Sequence, residues 1–375
     1  MFPLNKGVTV RQAHVGIPEG LYEEEHGRDG FYGPVSHLYR THAPTGWSRI
    51  EGPLKPRAFD CNRIGSDNAD CIQSRVALLY NEDVVLHYTR PTEPMSYYFR
   101  NADGDEVYFI HEGSGIIETD FGPLYFEPGD YLVIPRGTTY RLLPETKSNA
   151  FLVIESFSRI VQPERGLLGQ HALYDPTAIT TPEPQPIQED GVEWEVRVKR
   201  LNELTSVFYP FNPMDVVGWK GDLTVWQLNI RDFRPVMSHR AHLAPSVHTT
   251  FQGKGFVICS FVPRPLEEDP DAMRVPFYHR NIDYDEVLFY HAGNFFSRHG
   301  IDAGMITFHP QGIHHGPHPK AVAASRQKDR TDEVAVMLDA QKPLRMTPEA
   351  ESAEWKEYYL SWQDQAETVQ KGQAS

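Results

Sequence analysis

The sequence reads YYFRNADGDEVYFIHEG at residues 97–113 and FYHRNIDYDEVLFYHAG at residues 277–293. Ten of these 17 positions are identical without a gap, at an offset of 180 residues. A second pair of matched blocks follows at an offset of 175 residues, where Gly129 and Pro135-Arg136-Gly137 correspond to Gly304 and Pro310-Gln311-Gly312. Self-similarity of this kind indicates a repeated supersecondary unit. We therefore predict that the chain contains a duplicated β-unit.

Short runs rich in β-branched and aromatic residues surround both copies, with glycine and proline between them. Such runs predict strands joined by tight turns. The clearest are Val84–Tyr88, Glu106–Ile110, Tyr131–Ile134, Phe151–Glu155, Leu223–Ile230, Phe256–Val262, Glu286–Tyr290 and Val334–Leu338. Each copy has a strand, a glycine turn and a strand that ends in Pro-x-Gly, which is the layout of a cupin, a small jelly-roll β-barrel. The predicted fold class is all-β: a duplicated cupin, or bicupin, with short peripheral helices.

Two composition shifts divide the chain. Residues 174–188 are rich in proline and predict an extended linker, and weak helical periodicity appears over Pro348–Leu360. The predicted organisation is an N-terminal extension that wraps the barrels (1–60), a degenerate N-terminal barrel without metal (61–173), a Pro-rich linker (174–200), a metal-binding C-terminal barrel (201–345), and a C-terminal helix with a frayed tail (346–375).

Composition narrows the possible functions. A formal net charge of −15 over 375 residues disfavours nucleic acid as a partner, because phosphate contacts need a basic face. No apolar run approaches the roughly 18 residues that a membrane-spanning helix needs, and the first residues do not resemble a signal peptide. The three cysteines form no CxxC pair, which disfavours a disulfide framework and a thiolate metal site. We predict a cytoplasmic protein with neither a nucleic-acid nor a membrane partner.

The two repeats differ at the positions that carry chemistry. His279 is matched by Phe99, His315 by Tyr140, and only Glu286 keeps its counterpart, a glutamate. Two imidazoles and one carboxylate that leave coordination positions open form the facial triad of ferrous oxygenases. A single histidine in such a position is more often structural, but three at cupin positions in one repeat, with both histidines absent from the other, favour a metal site. Zinc or manganese suits the same ligands.

Further residues in the C-terminal half resemble one enzyme family. The run Tyr278-His279-Arg280-Asn281, followed by Glu286, Gly293, His309 and His315-Gly316-Pro317, resembles homogentisate 1,2-dioxygenases. The segment from His242 to Val247 (HLAPSV) is similar to the stretch around the catalytic histidine of that family. The resemblance extends over most of residues 85–340.

This resemblance implies a role for each matched residue. His279, Glu286 and His315 would hold Fe(II), and His242 would act as the base that deprotonates a phenolic hydroxyl. His309 would line the pocket and bind the substrate, with His315 and Phe295 beside it. The implied reaction is extradiol-type ring cleavage of homogentisate by O2 to maleylacetoacetate, in tyrosine and phenylalanine catabolism. The resemblance also implies a homo-oligomer, a trimer or a hexamer.

Several alternatives remain open. Phe295 stands where the family has a tyrosine, which favours a related ring-cleaving dioxygenase acting on another gentisate-like or hydroquinone-like aromatic. A metal-dependent cupin isomerase or hydrolase, with zinc or manganese, would use the same ligands. A metal-free binding bicupin is the third alternative. Arg280 and Arg298 are candidates for binding a substrate carboxylate, whereas His111 and His291 recur in both repeats and are predicted to be structural.

Overall fold

The structure is a computed structural model that describes residues 4–65, 68–187, 191–274, 277–295, 298, 300–317 and 328–362. Within these residues the chain forms 22 strands, seven short 3₁₀ helices and no α-helix. The strands are β1 (Tyr22–Gly27), β2 (Val35–Arg40), β3 (Arg57–Asp60), β4 (Val76–Tyr80), β5 (Val84–Thr89), β6 (Tyr98–Asn101), β7 (Asp105–Glu112), β8 (Gly115–Thr119), β9 (Leu124–Phe126), β10 (Asp130–Ile134), β11 (Thr139–Pro144), β12 (Ala150–Ser156), β13 (Trp194–Arg200), β14 (Glu203–Tyr209), β15 (Trp226–Asn229), β16 (Thr249–Gly253), β17 (Phe256–Phe261), β18 (Tyr278–Asn281), β19 (Asp285–Ala292), β20 (Met305–His309), β21 (Val334–Ala340) and β22 (Arg345–Met346). The 3₁₀ helices are Cys61–Arg63, Gly166–Leu168, Pro176–Ala178, Ile230–Asp232, Pro245–His248, Glu349–Ser352 and Tyr358–Trp362.

All eight strands predicted from the sequence are present, and the all-β class is confirmed. The helix predicted over Pro348–Leu360 is wrong: two 3₁₀ turns, Glu349–Ser352 and Tyr358–Trp362, occupy that segment. Tyr358 and Trp362 pack against the barrel in a buried apolar cluster, and this packing is made by short turns and not by a continuous helix. The predicted frayed tail from residue 363 onward lies outside the described residues. Among the described residues, no helix has the length and apolar character needed to cross a bilayer.

Two barrels are built from four sheets. The N-terminal barrel combines a seven-stranded sheet, β15-β10-β7-β12-β5-β4-β22, with a six-stranded sheet, β14-β13-β6-β11-β8-β9. The C-terminal barrel combines a six-stranded sheet, β16-β17-β21-β19-β20-β3, with a three-stranded sheet, β18-β1-β2. Alternate residues of the facing strands point inward, as in any small barrel.

The barrels exchange strands in a way that the sequence does not predict. The hairpin β1–β2 and strand β3 come from the predicted N-terminal extension, yet β1 pairs in parallel with β18 and β3 pairs with β20 of the C-terminal barrel. Reciprocally, β13 lies in the predicted linker and β15 in the predicted C-terminal barrel, yet they pair with β6 and β10 of the N-terminal barrel. The linker therefore ends before Trp194. Thus the segment before each barrel in the sequence supplies strands to the other barrel.

The barrels pack against each other through aromatic side chains. The ring of Phe289 lies 5.9 Å from that of Tyr88 and 6.2 Å from that of Phe109, centroid to centroid. At this interface Nδ1 of His111 lies 2.9 Å from Nδ1 of His291, so one ring donates a hydrogen bond to the other. Burial lowers the pKa of both imidazoles to about 4, which keeps the pair neutral at physiological pH. This geometry fits the structural role predicted for both histidines.

Candidate metal centre

The C-terminal barrel brings His279, Glu286 and His315 to one point. His279 lies on β18 and Glu286 on β19, while His315 forms an isolated antiparallel bridge with His279. The backbone N–H of His279 donates to the carbonyl of His315 at 2.9 Å, and the reverse bond is 3.0 Å. Residues directly opposite in an antiparallel pair project to the same face, and the two imidazole rings accordingly lie 3.9 Å apart.

The imidazoles are oriented so that their outer nitrogens converge on the carboxylate. Nδ1 of His279 donates to the carbonyl of Phe277 at 3.0 Å, and Nδ1 of His315 faces the carbonyl of Ile313 at 3.4 Å. The two Nε2 atoms lie 3.4 Å and 3.6 Å from Oε2 of Glu286. Neither Nε2 has a hydrogen-bond partner in the described part of the chain, although both are fully buried. Buried, unpartnered nitrogens that face one carboxylate oxygen fit a shared metal ion.

Protonation states agree with that fit. Burial opposes a charged Glu286, but the imidazoles of His315, His279 and His309 hold the pKa of its carboxyl well below the usual range. Burial lowers the pKa of His315 to about 3, so its imidazole is neutral. An ionised carboxylate at Glu286 and a neutral imidazole at His315 are the protonation states that a divalent metal requires of such ligands.

The structure places His309 behind the carboxylate of Glu286, and His309 is not among the described residues that line the cavity where it was predicted. Its side chain is 0% exposed, and Nδ1 donates to Oε1 of Glu286 at 2.8 Å. Nε2 is then the acceptor that faces the hydroxyl of Tyr358 at 3.4 Å. The pair Tyr358–His309 therefore fixes the orientation of the glutamate and leaves Oε2 directed at the other two histidines.

A cavity opens beside this group. It is lined by Val236, Met237, His242, Leu243, Pro245, His248, Phe261, Val262, Arg264, Leu266, Glu267, Arg274, Phe277, His279, Glu286, Leu288, Arg298, Thr331, Glu333 and Met337. The ring of Phe277 forms the wall between the metal group and the predicted base, at 5.3 Å from the His279 ring and 5.7 Å from the His242 ring. Among the described residues, the cavity thus combines apolar side chains with three arginines, three glutamates and three histidines, and binding sites for small molecules usually join apolar walls to convergent polar groups.

His242 is held by a carboxylate that the sequence analysis missed. Nδ1 of His242 lies 3.0 Å from Oε1 of Glu267, which also accepts a 3.1 Å hydrogen bond from Nη1 of Arg264. Burial and then Arg264 lower the pKa of His242, partly offset by Glu267. Nη2 of Arg264 also lies 3.3 Å from Nδ1 of His242, but the shorter contact with the carboxylate favours the tautomer in which Nδ1 donates and Nε2 is free to accept a proton. Glu267 begins the acidic run Glu267–Asp269, which in sequence resembles a solvated surface segment.

Three other predicted site residues have different surroundings. Phe295 packs its ring 4.8 Å from that of Tyr290 in a buried apolar cluster and does not line the cavity. Arg280 is directed at Nδ1 of His26, at 3.0 Å, on the outer side of the three-stranded sheet. Arg298 does line the cavity: its guanidinium donates to the carbonyl of Gly316 at 3.2 Å and lies 3.9 Å from Glu286.

The equivalent site of the N-terminal barrel holds a guanidinium group. Tyr140 pairs with Phe99 in register, as His315 pairs with His279, which supports the alignment of the repeats. Nη1 of Arg75 donates to Oε1 of Glu106 at 2.5 Å, and the hydroxyl of Tyr140 donates to Oε2 at 2.7 Å. The charge of the retained glutamate is therefore balanced by arginine. No sequence signal marks Arg75, because β4 approaches this site only through the fold.

Comparison with known proteins agrees with these observations. Two family models match, the homogentisate 1,2-dioxygenase N-terminal model over residues 72–230 and its C-terminal model over residues 236–369. A protein of Saccharolobus solfataricus that carries the provisional name of a dioxygenase is 35% identical over 361 residues, which cover 91% of this chain and 93% of that protein.

The homogentisate 1,2-dioxygenase of Bradyrhizobium diazoefficiens is 27% identical over 68% of this chain and 60% of its own length. Among solved structures, a cupin 2 conserved barrel domain protein from Leptotrichia buccalis aligns with a TM-score of 0.35 at 13% identity, over 76% of this chain and 96% of that one. Because the two family models together span more than three quarters of the sequence, the chain belongs to the homogentisate 1,2-dioxygenase family.

Proposed function

We propose that the protein is a ferrous-iron dioxygenase that opens the ring of a hydroquinone-type aromatic with O2, and that homogentisate is converted to maleylacetoacetate. The observation that carries this proposal is a single cavity lined both by two of the metal-ligand residues, His279 and Glu286, and by the His242–Glu267 pair. Deprotonation and oxidation of a phenol require a metal ion and an oriented base that reach the same cavity.

The ligand group suits iron in kind and number. His279, Glu286 and His315 would hold the ion, and three protein ligands leave room for a substrate and for O2. When bound, ferrous iron supplies the one-electron chemistry that allows O2 to react with a closed-shell aromatic ring. His309 keeps the carboxylate of Glu286 in the orientation that binding needs.

The remaining steps depend on the residues of the cavity walls. His242, with Nδ1 held by Glu267, would take the phenolic proton at Nε2. The face of Phe277 offers an apolar wall for an aromatic ring between the base and the metal ligands. The side chains of Leu288 and Met337 continue this apolar lining and exclude water from the ring.

Of the described residues, three arginines (Arg264, Arg274, Arg298) and three glutamates (Glu267, Glu286, Glu333) line the cavity, and Arg274 is the group we assign to the carboxylate of homogentisate. Arg264 pairs with Glu267, and Arg298 lies near Glu286. Arg274 also lines the cavity and forms no ion pair with any side chain that the structure describes. A guanidinium that forms no ion pair within the protein can bind the carboxylate of a substrate.

Oxygen uptake tests the proposal directly. Protein reconstituted anaerobically with Fe(II) should consume one O2 per homogentisate and produce the absorbance of a ring-opened product. Uptake with gentisate or another dihydroxy aromatic, but not with homogentisate, would retain the reaction and replace the substrate. Failure to consume O2 with any of these, in protein that binds zinc or manganese at the same ligands, would favour the isomerase or hydrolase alternative.

We also propose a homo-oligomer, a trimer or a hexamer, in the cytoplasm. Strand β14 lies at the edge of its sheet with every residue from Glu203 to Phe208 exposed, including Leu204 at 56% and Phe208 at 57%. An exposed, partly apolar edge strand is a natural surface for contact with another copy. Light scattering on the purified protein gives the mass, and a monomer at micromolar concentration would reject this proposal.

A further inference from the structure

A second group of ligand-type side chains lies on the N-terminal segment, outside the catalytic cavity. It consists of His14, Glu23, Glu25 and His37, and we refer to it as the N-terminal cluster. Glu23 and Glu25 alternate along β1 and therefore project to the same face, and Glu25 pairs in register with His37 of β2. His14 comes from the loop that precedes β1. Ligand atoms of His14, Glu23 and His37 all lie within 4.8 Å of one another.

The contacts within this cluster resemble those of the catalytic ligands. Nδ1 of His14 lies 2.7 Å from Oε1 of Glu23, and Nε2 of His37 lies 3.3 Å from Oε2 of Glu25. Both nitrogens are buried, and neither makes a hydrogen bond within the described residues. The His14 side chain is 9% exposed. Imidazole nitrogens that approach carboxylates without the geometry of a hydrogen bond are the arrangement expected when both groups bind one ion.

The charge of the cluster also points to a cation. The side chain of Glu23 is 0% exposed and that of Glu25 is 10% exposed. In the described part of the chain, neither carboxylate has a lysine or an arginine within 4 Å. Glu23 accepts hydrogen bonds from the hydroxyl of Tyr39 at 2.8 Å and the backbone N–H of His14 at 2.9 Å, and among the described side chains only the imidazoles of His14 and His37 are placed to balance its charge. Buried carboxylates need a compensating positive charge.

We propose that the N-terminal cluster binds a second divalent transition-metal ion, of the kind that zinc represents. Two imidazoles with carboxylate oxygens are a ligand set that zinc accepts in tetrahedral sites. One dication would balance the two buried carboxylates and use the two unpartnered nitrogens. The inference does not depend on the reaction proposed above, because these residues belong to a separate group.

The position of this ion gives it a structural role beside the active site. The His14 ring stacks on Phe277 with 4.5 Å between centroids, and Phe277 forms the cavity wall beside His279. Strand β1 is also the parallel neighbour of β18, with Glu25 in register with His279. The ion therefore ties the loop and both strands of the hairpin together against the wall of the catalytic cavity.

Metal stoichiometry tests this proposal. Chelator-treated protein is equilibrated with Zn²⁺, desalted and measured for zinc per chain. Wild type should bind two ions, and the double variant His279→Ala/His315→Ala should bind one. His37→Ala should also bind one. The matched control His171→Ala, which removes an exposed histidine elsewhere, should bind two.

A second measurement begins with a protein in which all four residues of the N-terminal cluster are unchanged. The double variant His279→Ala/His315→Ala, loaded with Co²⁺, should show the visible absorption of a low-coordinate N/O site. Addition of Glu25→Gln to it should weaken Co²⁺ binding at least tenfold with the circular dichroism spectrum unchanged. If the double variant binds neither ion, the cluster is an ion-pair network of protonated histidines and the proposal is overturned.

Discussion

The pairing of His242 with Glu267 yields a prediction whose size follows from the local contacts. Oε1 of Glu267 accepts from Nδ1 of His242 and from Nη1 of Arg264 at the same time. In Glu267→Gln, Arg264 keeps the amide oxygen directed at both donors, because an NH2 group there would face the guanidinium. The tautomer of His242 is thus preserved, and only the negative charge is lost.

Glu267→Gln should lose less activity than Glu267→Ala. A hydrogen bond to a charged group contributes about 1.5–3 kcal/mol and a neutral one about 0.5–1.5 kcal/mol. Their difference predicts that Glu267→Gln lowers kcat/KM about tenfold. Glu267→Ala loses the whole interaction and should lower kcat/KM about 10- to 150-fold. Because the carboxylate raises the pKa of His242, its removal should move the acid limb of the pH–rate profile to lower pH.

Steady-state oxygen uptake across a range of pH, combined with iron analysis, measures these effects. Both variants should retain the iron content of wild type, since Glu267 contacts none of the metal-ligand residues. The reasoning would be refuted if both variants stayed within twofold of wild type, or if Glu267→Gln were the more damaging of the two. Loss of iron in parallel with activity would show that Glu267 acts on the metal group instead of on the base.

Four further predictions address the two barrels. Glu286→Ala should reduce bound iron from about one per chain to near zero together with oxygen uptake, and a variant that retained full iron and turnover would contradict the ligand assignment. His309→Ala should weaken iron binding about 10- to 100-fold in competition with a chelator, because the ligand carboxylate loses its support; unchanged affinity would exclude that role. His242→Ala should keep its iron but slow turnover about 10²- to 10⁴-fold, as measured by metal analysis and oxygen uptake on the same sample. Arg75→Ala should destabilise the protein by about 3–5 kcal/mol in chemical denaturation, since it leaves a buried carboxylate unpaired; an unfolding free energy within about 1 kcal/mol of wild type would contradict this role.

The part of the site that sequence predicted is the part encoded by local pattern. The alternation along β18 and β19 fixes which side chains face the barrel interior, so comparison of the two repeats was enough to select His279 and Glu286. His315 was found because its repeat partner, Tyr140, lies at the same place in the matching motif. The structure confirms that these three side chains converge, and their role as ligands remains a proposal.

The parts that sequence did not predict depend on contacts between distant segments. Glu267 is one of many acidic residues, and only the fold places it against His242. His309 was expected on the cavity, yet the antiparallel register that sets it opposite Glu286 also places it behind that carboxylate. Phe295, which motivated a change of substrate, packs away from the described cavity lining. Hydrophobic periodicity does not predict these contacts, because it shows which face of a strand a side chain occupies and not which residue of another segment it touches.

The sequence by itself determined that the chain is a duplicated all-β protein, where eight of its 22 described strands lie, and that one repeat alone carries the set of His279, Glu286 and His315. These properties follow from local preference and from identity between repeats. Only the tertiary structure decided that β1 and β3 complete the C-terminal barrel while β13 and β15 complete the N-terminal one. The physical reason is that a strand specifies its own geometry locally, whereas its partner is selected by the burial of side chains from both strands, which depends on the whole fold.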